Sequence, residues 1–446
     1  MRVRRILLTG LVLSALGFTP ALAQLGVPSP PNSTFPSQIN LMGVTGGVVD
    51  PFGTFTVVVR DIANNPVPGA FVEVDFSACP EIGLGQVIAV DALTCPSRVS
   101  TTADGNGVAT FDIGGFIYAC SPCVGTNQCT VIRANTIPLG IVAVGAFDLD
   151  GTSGVGPSDI SRWLLDFSSG CFIERSDYDG SGGVGGNDLS FMLARIGSGR
   201  DIQSASHCDG LLNTQSIVTG GAVNLHWTDC VPGGGTSTRN FACNTNAGSE
   251  TMVGSVSLPG PAPDVTGFTA EVVVQTNNAL LSAWWNFTST GCRSTSLSQN
   301  LDFTSGPFGC VDLWSANAVG GVVSVVTPDG TYLNRARIKL VGALAVPVAM
   351  AATTEYSLFK LVVSHTKTTG AVVCAGCADP ACILLEQVVI SQLQDLGCPG
   401  GAIRPNFKVT NPGAGSVVSW QTTAQVCQGA TPTHRDTWGH IKSLYR

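Results

Sequence analysis

The stretch "GTFTVVVRDIANNPVPGAFVEVDFS", Gly53 to Ser77, decides the fold class of this chain. Phe55, Val57 and Val59 alternate with Thr54, Thr56 and Val58, the period of two expected of a strand with one buried face. The segment "NNPVPG" breaks the pattern with residues whose backbone preferences make turns. Phe71, Val72 and Val74 then begin a second strand. Downstream, "VSTTADGNGVATFDIGG" repeats the design. An Asp-Gly-Asn-Gly turn leads into Ala109, Phe111 and Ile113 on one face and Val108, Thr110 and Asp112 on the other.

The same grammar returns towards the C-terminus. "AVNLHWTDC" points Val223, Leu225 and Trp227 inward, and "GFTAEVVVQT", "GVVSVVTPDGTYL", "ARIKLVGAL", "EYSLFKLVVSH" and "CILLEQVVIS" read as further strands between turns rich in Gly, Pro and Asn. The expected class is mainly β, with a second, larger sandwich or jelly roll over roughly 215–430.

Composition agrees. The chain has 446 residues, of which 44% are hydrophobic and only 12% charged, with 54 glycines. That suits two or three turn-rich globular domains rather than a disordered chain. A formal net charge of -8 argues against nucleic-acid binding, which needs a basic face. Residues 1–23 read as a signal peptide: "MRVRR", an apolar run, and "PALA" before Gln24, with cleavage expected near Ala23. The later apolar run "LVGALAVPVAMAA" is too short to span a bilayer and carries Pro347. The chain is thus expected to be exported, secreted or at the cell surface, and not membrane-spanning.

Sixteen cysteines in an exported chain read as disulfides. Pairs near in sequence are the first expectation: Cys79–Cys95, Cys230–Cys243, Cys292–Cys310 and Cys398–Cys427. "CAGCADPAC" from Cys374 has zinc-like spacing, with His365 as the nearest fourth ligand, and "CSPC" from Cys120 has redox-like spacing; bridges are the preferred reading of both.

Between the two β regions lie two near-copies, "FDLDGTSGVGPSDISRWLL" from Phe147 and "SDYDGSGGVGGNDLSFML" from Ser176. Counted from Asp148, oxygens fall at Asp148, Asp150, Thr152, the carbonyl of Gly154, and Asp159. The second copy repeats them at Asp177, Asp179, Ser181, the carbonyl of Gly183, and Asp188. Alternate-position oxygens closed by a twelfth-position carboxylate suit Ca²⁺, a hard cation that takes six to eight oxygens, so two calcium ions are expected. Ile160, Trp163, Leu164 and Phe167, and Leu189, Met192, Leu193 and Ile196, are spaced as one stripe of a helix each, and the two stripes are expected to bury one another.

The duplicated loop-plus-helix, with 29 residues between its starting aspartates, resembles the dockerin type I module. That resemblance implies docking to a cohesin-like or other β-sandwich partner. Pro157-Ser158 and Gly186-Asn187 stand where cohesin-reading modules carry a small hydroxyl pair, which weakens the cohesin expectation more than the calcium one. The "NPVPG" and "ADGNG" signatures over residues 38–145 resemble a bacterial Ig-like domain of the invasin/intimin type, which implies a spacer or adhesion role.

The expected organisation is a signal peptide (1–23), a Pro-rich linker (24–37), an Ig-like sandwich (38–145), a dockerin-like module (146–200), a linker (201–214), a disulfide-bonded sandwich (215–430) and a tail (431–446). In the tail, Trp438, Ile441 and Tyr445 could share one helical face. No catalytic residue can be assigned: the five histidines form no triad, and Glu271, Glu355 and Glu386 fall on different strands. The leading expectation is a calcium-binding extracellular adhesion or scaffold protein. The alternative is a polysaccharide-active enzyme or complex subunit. Trp227, Trp284, Trp285, Trp314 and Trp420 could form a sugar-stacking face, but they sit in strand-like segments, where core packing is the default.

Overall fold

The computed structural model describes residues 26–427, apart from 46–47, 80, 89–91, 95–97, 118–127, 152–153, 170–173, 199–216, 306–307, 315–317, 394–403, 411–413 and 423–426. The signal peptide, Thr152, the 201–214 linker, the "CSPC" segment and the 431–446 tail lie outside the described residues, or almost wholly so. What is described is mainly β, in paired sheets, with two short α-helices between them. No helix among the described residues is long and apolar enough to cross a membrane.

The first sandwich faces a six-stranded sheet with a three-stranded one. The larger sheet runs Gln38–Leu41, Ile137–Ala146, Thr130–Ala134, Phe71–Asp75, Arg98–Thr102 and Ala92–Thr94; the smaller runs Phe55–Val58, Val108–Ile117 and Ile82–Ile88. Val57, Val72, Val74, Ala109, Phe111 and Ile113 are sealed in the core between them. Phe71 departs from the sequence expectation. It is 46% exposed, because Val72 and Val74, not Phe71, hold the inward parity of that strand. The turn before it is tied by Asp61, whose carboxylate accepts the N–H groups of Ala63 and Asn65 (both 2.9 Å), so the Asn-Pro-Gly stretch is a clamped hairpin. Residues 26–37, expected as a spacer, lie against this sandwich: Thr34 bridges Val58, and the Ser29 N–H donates to the Arg60 carbonyl (2.7 Å).

The second sandwich is larger. Its eight-stranded sheet is built on three long neighbours, Ala381–Gln392, Ala262–Thr276 and Arg335–Met350, with Ala318–Val326 at one edge. The five-stranded sheet opposite carries Ala222–Trp227, Ser249–Ser257 and Tyr356–Ser364. Trp227, Trp284, Trp285, Trp314 and Trp420 are all fully buried in the core between the sheets. Core packing, the default reading of these residues, is what their burial shows, and they offer no sugar-stacking face: Trp227 and Trp420 turn inward by strand alternation, Trp284 and Trp285 from the short 3-10 turn Ala283–Trp285, and Trp314 from the bend after Asp312.

Disulfides are present, but the near-neighbour pairings are wrong. The described bridges are Cys79–Cys129, Cys230–Cys310, Cys243–Cys377, Cys292–Cys374 and Cys382–Cys427, spanning 45 to 134 residues. Neighbours in sequence sit on separate turns, whereas antiparallel pairing brings distant loops to the same end of a sandwich. "CAGCADPAC" is used entirely in bridges, with no thiolate left for zinc.

The outer face of the eight-stranded sheet decides the architecture. Helix α1 (Pro157–Ser168) lies on the strands Ala262–Thr276 and Arg335–Met350. The contact needs Gly267: a Cβ there would stand 2.5 Å from Cβ of Pro157 and 2.2 Å from the Gly342 carbonyl oxygen. Gly267→Val is expected to push the helix off the sheet. The cost should be about 1–3 kcal/mol, as for other overpacked contacts, measured as a lower urea midpoint with an unchanged slope.

Candidate metal centre

Each copy of the repeat builds its loop from its own backbone. Gly151 and Gly180, fourth in their loops, sit at φ +69° and +65°, a left-handed conformation that suits a residue without Cβ. The chain then enters α1 through Gly156, and helix α2 (Gly186–Leu193) through Gly185, both extended at φ -145°. Three residues into each helix stands the closing aspartate. Asp159 Oδ2 accepts the Gly156 N–H (2.7 Å), and Asp188 Oδ2 accepts that of Gly185 (2.8 Å). Such a carboxylate caps the helix start and complements its dipole.

The other oxygen of each closing carboxylate reaches back to the start of its loop. Asp159 Oδ1 accepts the N–H groups of Leu149 (2.6 Å) and Asp150 (3.1 Å). Asp188 Oδ1 accepts those of Tyr178 (2.7 Å) and Asp179 (3.2 Å). The first aspartates are held by backbone donors as well. Asp148 accepts the Gly151 and Gly154 N–H groups, and Asp177 accepts those of Ser181 and Gly182. Oxygens of Asp148, Asp150 and Asp159 thus fall within 4.8 Å of one another, as do those of Asp177, Asp179 and Asp188. The Ser181 hydroxyl donates to the Gly183 carbonyl (3.3 Å), so these two expected ligands are neighbours.

All six aspartates therefore gather as the spacing predicts, but the two sets differ in exposure. Asp148, Asp150 and Asp159 are buried; in the second loop Asp177 and Asp188 are buried, whereas Asp179, Ser181 and Gly182 face solvent. Burial, with the charges of Asp150 and Asp148, pushes the Asp159 carboxyl well above the usual carboxylate range. Burial also raises Asp177, while the Ser181 hydroxyl lowers exposed Asp179. Such all-oxygen sets of three carboxylates suit a hard divalent cation rather than a thiophilic one.

The helical stripes are displaced from the sequence expectation. Ile160, Trp163, Met192 and Ile196 are buried, but α2 ends at Leu193, Ile196 lies in the turn beyond, and Phe167 is 53% exposed. The stripes meet more than each other. Their core also takes in Met42 and Val49 from the first sandwich and Val341 and Ala343 from the second. Phe147 and Tyr178, one from each loop, stack within it at 4.0 Å.

Several fastening residues were not foreseen. Gln38 and Asn40, on the first strand, donate to the carbonyls of Asp177 and Tyr178. Arg195 pairs with Asp50 (3.1 Å) and lies 4.1 Å over the Phe52 ring. Lys339, on the second sandwich, donates to the Ile196 carbonyl. Asp166 of α1 accepts two hydrogen bonds from buried Arg175 (2.8 and 3.0 Å) and one from the Ser176 hydroxyl (2.7 Å), tying the first repeat to the entry of the second. An Asp set between the apolar residues Leu165 and Phe167 was the available signal. Of the three glutamates noted in the sequence, Glu271 and Glu386 meet at Arg337 on the outer sheet face, while Glu355 accepts from Asn224 and Ser255.

Asp166→Ala would remove the carboxylate that pairs with buried Arg175, with an expected loss of about 3–5 kcal/mol in a denaturant titration. For Asp159 the sign follows from its raised value. Without a cation, the folded protein holds this proton to higher pH than the unfolded chain does. Stability from this group is thus full below the ordinary carboxylate range and lost as pH rises from there through the raised folded-state value. Cation binding needs the carboxylate, so uptake should release a proton and weaken as pH falls. Titrations in two buffers of different ionisation enthalpy should give apparent binding enthalpies that differ accordingly.

No family model and no curated protein matches the chain. Among solved structures, it is similar to the full-length major pilin SpaD from Corynebacterium diphtheriae, at 9% identity and a TM-score of 0.16, over 87% of this chain and 68% of that one. A likeness that slight says nothing about fold or function.

Proposed function

We propose that this is an exported, non-catalytic calcium-binding protein of the extracellular space. In this reading an Ig-like and a larger disulfide-bonded sandwich are held in a fixed relation by a dockerin-like calcium joint. The observation that carries it is the shared core of the central repeat. Residues of both sandwiches, Met42 and Val49 on one side and Val341 and Ala343 on the other, pack with those of the two loop-and-helix units. A cation supplies the charge that offsets three gathered carboxylates. Asp148, Asp150 and Asp159 would hold one ion, and Asp177, Asp179 and Asp188, with Ser181 and the Gly183 carbonyl, the other.

Occupancy then bears on the whole molecule, because Gln38 and Asn40 fasten the first sandwich to the backbone of the second loop. The accessible face of the module also differs from that of a free-standing plug. Pro157 and Ser158, at the partner-reading positions of the first copy, are buried, with Pro157 against this chain's own sheet, whereas Gly186 and Asn187 of the second copy are exposed. The first copy thus serves inside the molecule, and any external sandwich partner would meet the second. The ion pairing of Glu271 and Glu386 with Arg337 disfavours a catalytic carboxylate pair there.

Calorimetric titration of the full chain with calcium should report two sites. Asp148→Ala and Asp177→Ala should each remove one of them. The calcium-loaded protein should melt higher than a chelator-treated sample, by an amount set by the excess of free ion over its dissociation constant. Identical melting curves with and without chelator, or heats untouched by both substitutions, would refute the proposal.

A further inference from the structure

At one end of the larger sandwich, two loops present apolar side chains to water. Leu280 is 62% exposed, Leu333 56% and Tyr332 39%. They belong together: the Leu281 N–H donates to the Leu333 carbonyl (3.0 Å), and the Tyr332 ring lies 4.5 Å from the Arg335 guanidinium. Single exposed apolar residues need no explanation, but a cluster invites an occupant.

The place where the chain's last segment departs names that occupant. Cys427 is bridged to Cys382, with 5.4 Å between Cα atoms, among Val273, Leu384 and Val417. Cys382 pairs with Gln275, and Gln275 pairs with Arg335. Register partners project to the same side of a sheet, and two strand spacings amount to about 10 Å. Cys427, from which the chain continues, therefore lies at the end of the sheet that carries Arg335 and the Tyr332 ring against it. Extended chain advances roughly 3.3–3.6 Å per residue, so the eleven residues from Cys427 to Trp438 reach the cluster with slack. A segment tethered this closely has an effective concentration in the millimolar range, so even a weak contact is populated.

We propose that residues 431–446 dock on the Leu280–Tyr332–Leu333 cluster through Trp438, Ile441 and Tyr445. Spaced i, i+3 and i+7, these three fall on one face if the segment is helical. Gly439 makes such a helix too weak to stand alone in water, so it would form only on a surface that completes it.

The tryptophans provide the test. The chain has seven, and Trp163, Trp227, Trp284, Trp285, Trp314 and Trp420 are each no more than 1% exposed. Acrylamide quenching of the folded, full-length protein therefore reads Trp438, and subtracting the Trp438→Phe spectrum isolates it. Docking predicts a Stern–Volmer constant several-fold below that of free tryptophan. Leu280→Asp or Leu333→Asp should raise it, since both residues face solvent and their replacement leaves the fold intact. Full quenching in the unmodified chain would overturn the proposal. So would protection that neither substitution changes. Protection that disappears on dilution would assign the cluster to a second copy of the chain instead.

Discussion

Six carboxylates are gathered where two sandwiches meet, and all but Asp179 are buried there. Like charges held within 4.8 Å are tolerable in such surroundings only when each oxygen is met by donors and the summed charge is offset. Backbone N–H groups supply donors to the first and the closing aspartate of each loop, reaching the closing one from both ends of the loop. That is why the repeat spends its sequence on glycines. The N–H groups of Gly151, Gly154, Gly156, Gly182 and Gly185 all reach these carboxylates, and a Cβ at the left-handed positions would strain the backbone.

From that constraint the architecture follows. A loop that turns its amides inward leaves a helix start pointing at its carboxylate and a helix body with one apolar side. Two such units are too small to bury both sides on their own. The remainder is covered by the sandwiches, through Met42 and Val49 on one flank and Val341 and Ala343 on the other. The closest approach, of α1 to the sheet at Gly267, is one that only a missing side chain allows. Local electrostatics and long-range packing are in this way properties of the same short repeat.

Much of this was legible in the sequence, and what was not has physical reasons. Alternation gave the inward faces of the strands around Ala109, Phe111 and Ile113, and around Val223, Leu225 and Trp227, because period two is a local property. Ligand spacing gave the six aspartates for the same reason. The disulfide partners could not be read, since they depend on which distant loops share an end of a sandwich. Core packing was the default reading of the tryptophans, and their burial agrees, although Trp284, Trp285 and Trp314 lie in a 3-10 turn and a bend rather than in the strands that the sequence suggests. The fastening residues, Gln38, Asn40, Arg195 and Lys339, act between elements far apart in sequence and follow no period at all.

The bridges of the larger sandwich also bear on how the chain comes to be made. Cys243 is joined to Cys377, 134 residues on, while Cys374, three residues before that partner, is joined to Cys292. In a chain threaded N-terminus first into an oxidising space, Cys230, Cys243, Cys292 and Cys310 all arrive before either late thiol exists. Early oxidation has wrong partners to choose among, and one native bond, Cys230–Cys310, to find. Under the export proposed above, productive maturation would depend on thiol exchange continuing until the last strands are through, tying yield to surroundings that can reshuffle bonds as well as form them.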